Sequence, residues 1–143
     1  MSKIITKSEK ETQKLAAKIA ETLKGGEVIA LNGDLGSGKT VFAKGIAKFF
    51  GVKKPVTSPT FVLMKLYKTP RDKNKTTIVH IDTYRLANSQ ELVDIDVLDY
   101  FGEPNTICLV EWADKIKGIL PKKTIQINFA YGEKENERII EMK

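Results

Sequence analysis

Leu15, Ala16, Ile19, Ala20 and Leu23 recur at the three- and four-residue spacing of one helical face. Ser8, answered by Glu11 three residues later, has the capping-box form that starts such a helix, and Gly25-Gly26 closes it. The pattern then changes period. Residues 27–32 form a short apolar run without alternation, as expected of a strand covered on both faces. From Val41 to Phe50 the helical spacing returns, with Phe42, Ile46, Phe49 and Phe50 on one side and Gly51 after them. Next, Pro55-Val56-Thr57-Ser58-Pro59-Thr60 shapes a loop, because two prolines and several hydroxyl residues oppose helix. Phe61 to Tyr67 and Thr76 to Ile81 are strand-like and flank a polar, basic tip, which predicts a hairpin. Asn88 with Glu91 predicts a short helix to about Val93, and a second helix is expected over Ile95 to Phe101, closed by Gly102. Thr106 to Val110 is another buried strand. Lys115 to Leu120 is a short helix or loop stopped by Pro121, and Lys123 to Tyr131 pairs with Glu137 to Met142 as an antiparallel edge hairpin.

Strands alternating with helices predict an α/β fold: a single P-loop domain over residues 1–143, with a mostly parallel central sheet flanked by helices and antiparallel edge strands. The P-loop assignment rests on Gly33-Asp34-Leu35-Gly36-Ser37-Gly38-Lys39-Thr40, which has the form G-x-x-x-x-G-K-[S/T] between the first buried strand and the second helix. Its glycines let consecutive backbone N–H groups turn inward onto a phosphate, and the following helix adds the positive end of its dipole. Lys39 is the counter-charge for the β- and γ-phosphates, and the Thr40 hydroxyl is a magnesium ligand.

Both later buried strands end on an acid, Asp82 after Ile81 and Glu111 after Val110. In a P-loop fold the carboxyl ends of parallel strands lie beside the phosphate loop, so Thr40, Asp82 and Glu111 are expected around one Mg2+ ion. Glu111 is the better placed to orient water and Asp82 to organise the metal, although the reverse assignment is open. For Asp82 the simpler alternative is a turn cap. Thr60, between the P-loop helix and the first acidic strand, has the position of a switch residue whose hydroxyl contacts the γ-phosphate or the metal's water shell; otherwise it belongs to a Pro-bounded connecting turn. Trp112 covers the nucleotide or a partner, or else packs in the core. His80 points away from Val79 and Ile81 and reads as a core or interface histidine rather than a catalytic base.

Composition narrows the picture. The 143 residues are 41% hydrophobic and 29% charged, proportions of a soluble globular protein, and no apolar run approaches the ~20 residues needed to span a bilayer. No signal-peptide pattern is present at Met1 to Ile5, so a cytoplasmic location and no membrane partner are expected. Cys108 is the only cysteine and lies in an apolar strand, which predicts a buried, unreactive thiol. A net charge of +6 favours a polyanionic partner, but the lysines carry no interleaved aromatics and read first as a solvated surface. No N-K-x-D tetrapeptide occurs, which favours ATP over a guanine nucleotide. A small-molecule kinase would need an arginine-rich lid, whereas this chain has only Arg71, Arg85 and Arg138. A non-hydrolysing ATP-binding module is the other alternative, disfavoured by the two strand-end acids.

The loop from Gly33 to Thr40, Ser58-Pro59-Thr60-Phe61, His80-Ile81-Asp82-Thr83-Tyr84-Arg85-Leu86 and Glu111-Trp112 with Leu120-Pro121 occur in an order that resembles the TsaE (YjeE) family. The likeness runs from Glu11-Thr12 to Arg138. It implies a small P-loop ATPase, weak alone, that works with TsaB and TsaD in tRNA threonylcarbamoyladenosine (t6A) modification and resets that complex between turnovers. Contact with tRNA would be indirect. On this resemblance Gly36 to Val41 form the phosphate cradle, Thr40 and Glu111 are magnesium ligands, Asp82 is a nucleotide-site acid and Thr60 is the switch threonine. Glu9 resembles a position that approaches the nucleotide. Ser37, commonly alanine in the family, is a departure that leaves the loop geometry untouched, whereas Val41, often threonine, removes a side-chain hydroxyl near the phosphates while keeping the backbone N–H.

Overall fold

A computed structural model describes residues 2–57, 63–69 and 76–143. The chain runs through β1 (Ser2–Thr6), α1 (Glu9–Ala20), β2 (Val28–Asn32), α2 (Lys39–Phe49), β3 (Met64–Lys68), β4 (Thr77–Asp82), α3 (Gln90–Asp94), β5 (Thr106–Glu111), β6 (Ile125–Tyr131) and β7 (Arg138–Met142). Short 3-10 segments at Val97–Asp99 and Ala113–Ile119 flank β5. The strands form one seven-stranded sheet in the order β1-β7-β6-β2-β5-β4-β3. Its centre, β6-β2-β5-β4, is parallel, and antiparallel pairs lie on both sides of it.

Alternation along the buried strands divides the core in two. Ile29 and Leu31 of β2, Ile78 of β4 and Leu109 of β5 face α1 and α2, where Ala16, Ile19, Phe42 and Ile46 cover them. Val28, Ala30, Val79, Ile81, Cys108 and Val110 face the opposite layer of Leu92, Val97 and Ile116. Both faces of the central strands are therefore apolar, which is why β2 and β5 read as continuous hydrophobic runs.

Several local expectations change. The strand β1 was not anticipated, because four of its five residues are exposed and it is held by ladder bonds to β7 rather than by burial. As a consequence the β6–β7 hairpin is interior, and β1 forms the edge. The helix expected over Ile95 to Phe101 is a single 3-10 turn, preceded by Asp96 at φ 64°, a left-handed conformation that no continuous helix contains. Helix α1 stops at Ala20, before the glycine pair, and Phe49 is 44% exposed instead of joining Phe42 and Ile46 in the core. Ser8 caps α1 as expected, accepting from Glu11 N–H at 3.1 Å, while the Glu11 carboxylate accepts from Lys7 N–H at 2.6 Å.

Candidate functional site: a P-loop cleft with paired strand-end acids

The loop that leaves β2 passes close under β6. A Cβ added to Gly33 would lie 2.6 Å from the Phe129 carbonyl oxygen and 2.7 Å from Ser37 Oγ, so only glycine lets the backbone approach that closely. At the other end of the loop Gly38 has φ 109° and turns the chain directly into α2. From the far side, the β6–β7 hairpin holds the loop by its carbonyls. Tyr131 Oη donates to Leu35 O, and Arg138 Nε donates to Gly36 O at 3.2 Å.

Lys39 is buried, and its ammonium donates to the carbonyl oxygens of Gly33 and, at 2.9 Å, Asp34. It also sits 4.0 Å from the centroid of the Trp112 ring. Burial lowers its pKa from the usual lysine value, opposed by the negative charges of Glu111, Asp82 and Asp34. A compact cation with loosened hydration therefore stands at the focus of the loop.

Asp82 of β4 and Glu111 of β5 are paired in register, so parallel strands deliver both carboxylates to the sheet edge where β2 enters the loop. The Thr40 hydroxyl lies 2.9 Å from Glu111 Oε1 and 3.2 Å from Oε2, joining the first turn of α2 to the end of β5. His80 is fully buried, and its Nε2 lies 2.5 Å from Glu111 Oε2. Asp82 Oδ1 accepts from Tyr84 N–H at 2.9 Å, so the turn-capping role is real and coexists with its place in the site. Immediately after Glu111 the chain turns through Trp112 at φ 59°. That left-handed conformation is costly for a bulky residue. Thr83 offsets the cost from the neighbouring strand: its backbone N–H and hydroxyl both donate to Glu111 O at 3.1 Å, and its hydroxyl donates to Trp112 O at 2.5 Å. The indole is thereby aimed along the cleft, 5.1 Å from the Tyr84 ring.

The resulting cleft has a volume of about 350 Å³. Gly36, Ser37, Gly38, Lys39, Thr40, Val41, Asp82 and Glu111 line it, as does Glu9 from the first turn of α1. Gly33 lies behind the loop and contributes its carbonyl to Lys39. Thr60 lies outside the described residues. Trp112 faces the cleft rather than the core. Leu35 of the loop lines it too, as do Ser8, Tyr84 and Asn136, to which the sequence pattern gave no place in the site. The single signal for the β6–β7 residues was the late Arg138; no spacing along the chain links Asn136 to a loop a hundred residues earlier.

The site's donors suit magnesium. Thr40 and Glu111 offer oxygens, and among the described residues no group of three or more His, Cys, Asp or Glu side chains could enclose a metal alone. Mg2+ is characteristically held by one or two protein oxygens together with phosphate and water. Among the described residues no helix is long and apolar enough to cross a membrane.

A parallel sheet with a glycine loop opening onto a helix, and acids at neighbouring strand ends, defines the class: an α/β P-loop protein. The sequence profile of the family described as "Threonylcarbamoyl adenosine biosynthesis protein TsaE" matches residues 6–140. The chain belongs to this family. It is 45% identical over 119 residues to the tRNA threonylcarbamoyladenosine biosynthesis protein TsaE of Aquifex aeolicus, covering 82% of this chain and 80% of that one. With the protein of the same description from Rickettsia bellii it shares 40% identity over 128 residues, 89% of this chain and 85% of that one. The crystal structure of Bacillus subtilis YdiB is similar throughout, with a TM-score of 0.76 and 34% identity over 97% of this chain and 82% of that one.

Proposed function

We propose that the protein, acting as one P-loop unit, binds ATP with magnesium and hydrolyses it to support t6A formation by a TsaB–TsaD complex, resetting that complex between turnovers. The observation that carries this reading is the contact between the Thr40 hydroxyl and the Glu111 carboxylate at the mouth of the loop, beside the buried Lys39. A module that only held phosphates would not need a second strand-end acid there.

The backbone N–H groups of residues 36–41 bind the phosphates, and Lys39 supplies the positive charge that the γ-phosphoryl group needs as it is transferred to water. Thr40 and Glu111 hold magnesium, which when bound supplies neutralisation of the phosphate oxygens. Asp82, steadied by Tyr84 N–H, orients water at the same edge. Trp112 and Tyr84 shield the cleft from bulk solvent. TsaB and TsaD receive the output, in the cytoplasm, and tRNA is engaged through them.

The test is Glu111→Ala. ATP binding, followed by Trp112 fluorescence, is expected to persist, while hydrolysis in the presence of TsaB and TsaD falls by at least about 100-fold. Unchanged turnover would remove Glu111 from the mechanism. Failure of ATP to promote association with TsaB and TsaD would count against the partner assignment separately.

A further inference from the structure

His80 is the only histidine of the chain, and it occupies a fully buried position on β4. Its neighbour in register on β5 is Leu109, yet its ring reaches diagonally to the carboxylate two residues further along that strand. The contact is short, 2.5 Å between Nε2 and Glu111 Oε2. As a magnesium ligand Glu111 is an ionised carboxylate, which only accepts, and on that reading the proton of this bond belongs to Nε2. The other ring nitrogen, Nδ1, is buried and has no hydrogen-bond partner among the described residues. Among those residues the imidazole is thus committed to one polar contact, with Glu111.

That contact bears on the one soft torsion of the glutamate. The terminal rotation of a Glu carboxylate is broad, with little intrinsic preference. Here His80 fixes Oε2 from the sheet side, and Oε1 is left turned toward Thr40 at 2.9 Å. We infer that His80 is a positioning residue, which sets the orientation of the Glu111 carboxylate so that Oε1, next to the Thr40 hydroxyl, is presented to magnesium. This rests on the reading of Thr40 and Glu111 as the magnesium ligands. Partners that orient a ligating side chain typically govern metal affinity by about 10–100-fold.

The test uses untagged protein, with MgCl2 titrated at saturating ATP and followed through the fluorescence of Trp112, the only tryptophan. His80→Leu removes the donor at similar volume; His80→Gln keeps an N–H at a comparable reach. The expected result is a magnesium dissociation constant raised about 10–100-fold in His80→Leu, largely restored in His80→Gln, with ATP affinity in the absence of magnesium unchanged. A wild-type response to magnesium together with an equal response from His80→Leu would overturn the inference and leave the proposed function standing. No magnesium response in the wild type would overturn both. Should His80→Leu fail to fold, the single imidazole of the wild type decides the matter by 15N NMR. A protonated Nε2 whose resonance moves on adding magnesium to the ATP-bound protein supports the inference, whereas an unprotonated Nε2, or one indifferent to the metal, overturns it.

Discussion

Gly45→Ala sets two effects of known size against each other. Gly45 lies in the interior of α2, where exchanging glycine for alanine ordinarily favours the helix by about 1 kcal/mol. The added Cβ, however, would lie 2.7 Å from Ala16 Cβ, 2.9 Å from Gln13 O and 3.0 Å from Gln13 Cα, all on α1. Two of these three atoms are backbone and cannot rotate away. Relief to an ordinary contact requires α1 to retreat by about 1 Å. Overpacking of this kind typically costs about 1–3 kcal/mol, so after the propensity gain a net loss of up to about 2 kcal/mol remains. For a chain of this length that corresponds to a melting temperature lower by up to about 8 °C. ATP affinity should fall as well, because Glu9 and Thr12 of α1, with its cap Ser8, and residues 38–41 at the start of α2 all line the cleft. Thermal and urea denaturation with a parallel ATP titration would measure both. The double variant Ala16→Gly with Gly45→Ala, which removes one of the three clashes, should recover part of the loss beyond additivity. A Gly45→Ala protein that melts above the wild type would show that propensity prevails and that the close approach of the helices is immaterial.

Two further outcomes are expected. Ser37 Oγ is buried without a hydrogen-bond partner among the described residues, so Ser37→Ala should leave stability unchanged or raise it by up to about 1 kcal/mol, with ATP binding retained; a tenfold loss of ATP affinity would show that the hydroxyl contacts the nucleotide. Burial pushes the Cys108 thiol up to about 12, from 9.0 when exposed. Because the folded value is the higher one, the stability it contributes is complete below pH 9 and is lost as the pH climbs from 9 toward 12. Alkylation of Cys108 at pH 8 should therefore proceed no faster than global unfolding, and a rapidly labelled native thiol would contradict its burial.

How far the fold was legible depended on burial. Residues 28–32 and 106–111 announced themselves because each is covered on both faces, and the matching acidic ends of residues 77–82 and 106–111 are what set the two carboxylates side by side. The strand β1 carries only Ile4 and Ile5 as large apolar side chains, both exposed, so neither period nor run marks it. Over residues 95–101 the apolar content suggested helix, but the left-handed turn at Asp96 prevails because it lets Val97 reach the core while Leu98 stays 48% exposed. The cleft divides in the same way. Lys39 and Thr40 belong to a local motif, and Asp82 and Glu111 follow from strand ends. The bond from His80 to Glu111 requires knowing that β4 and β5 are neighbours and parallel, which no local pattern states. The ties from Tyr131 and Arg138 to the loop likewise depend on where a hairpin lands.

The place of β2 in the sheet also governs when the site can exist. Val28 pairs with Cys108 and Ile29 with Ile125, so the strand that launches the P-loop has no neighbours until most of the chain has been made. At roughly 5–20 residues per second, the ribosome takes about 5–20 s between producing this strand and producing its second partner. During that interval Val28-Ile29-Ala30-Leu31 is an apolar segment with unpaired edges, a template for wrong pairing. Parallel, long-range closure of this kind is intrinsically slow. The very stretch that later holds the phosphate loop in place is therefore the one longest open to wrong pairing while the chain is being made.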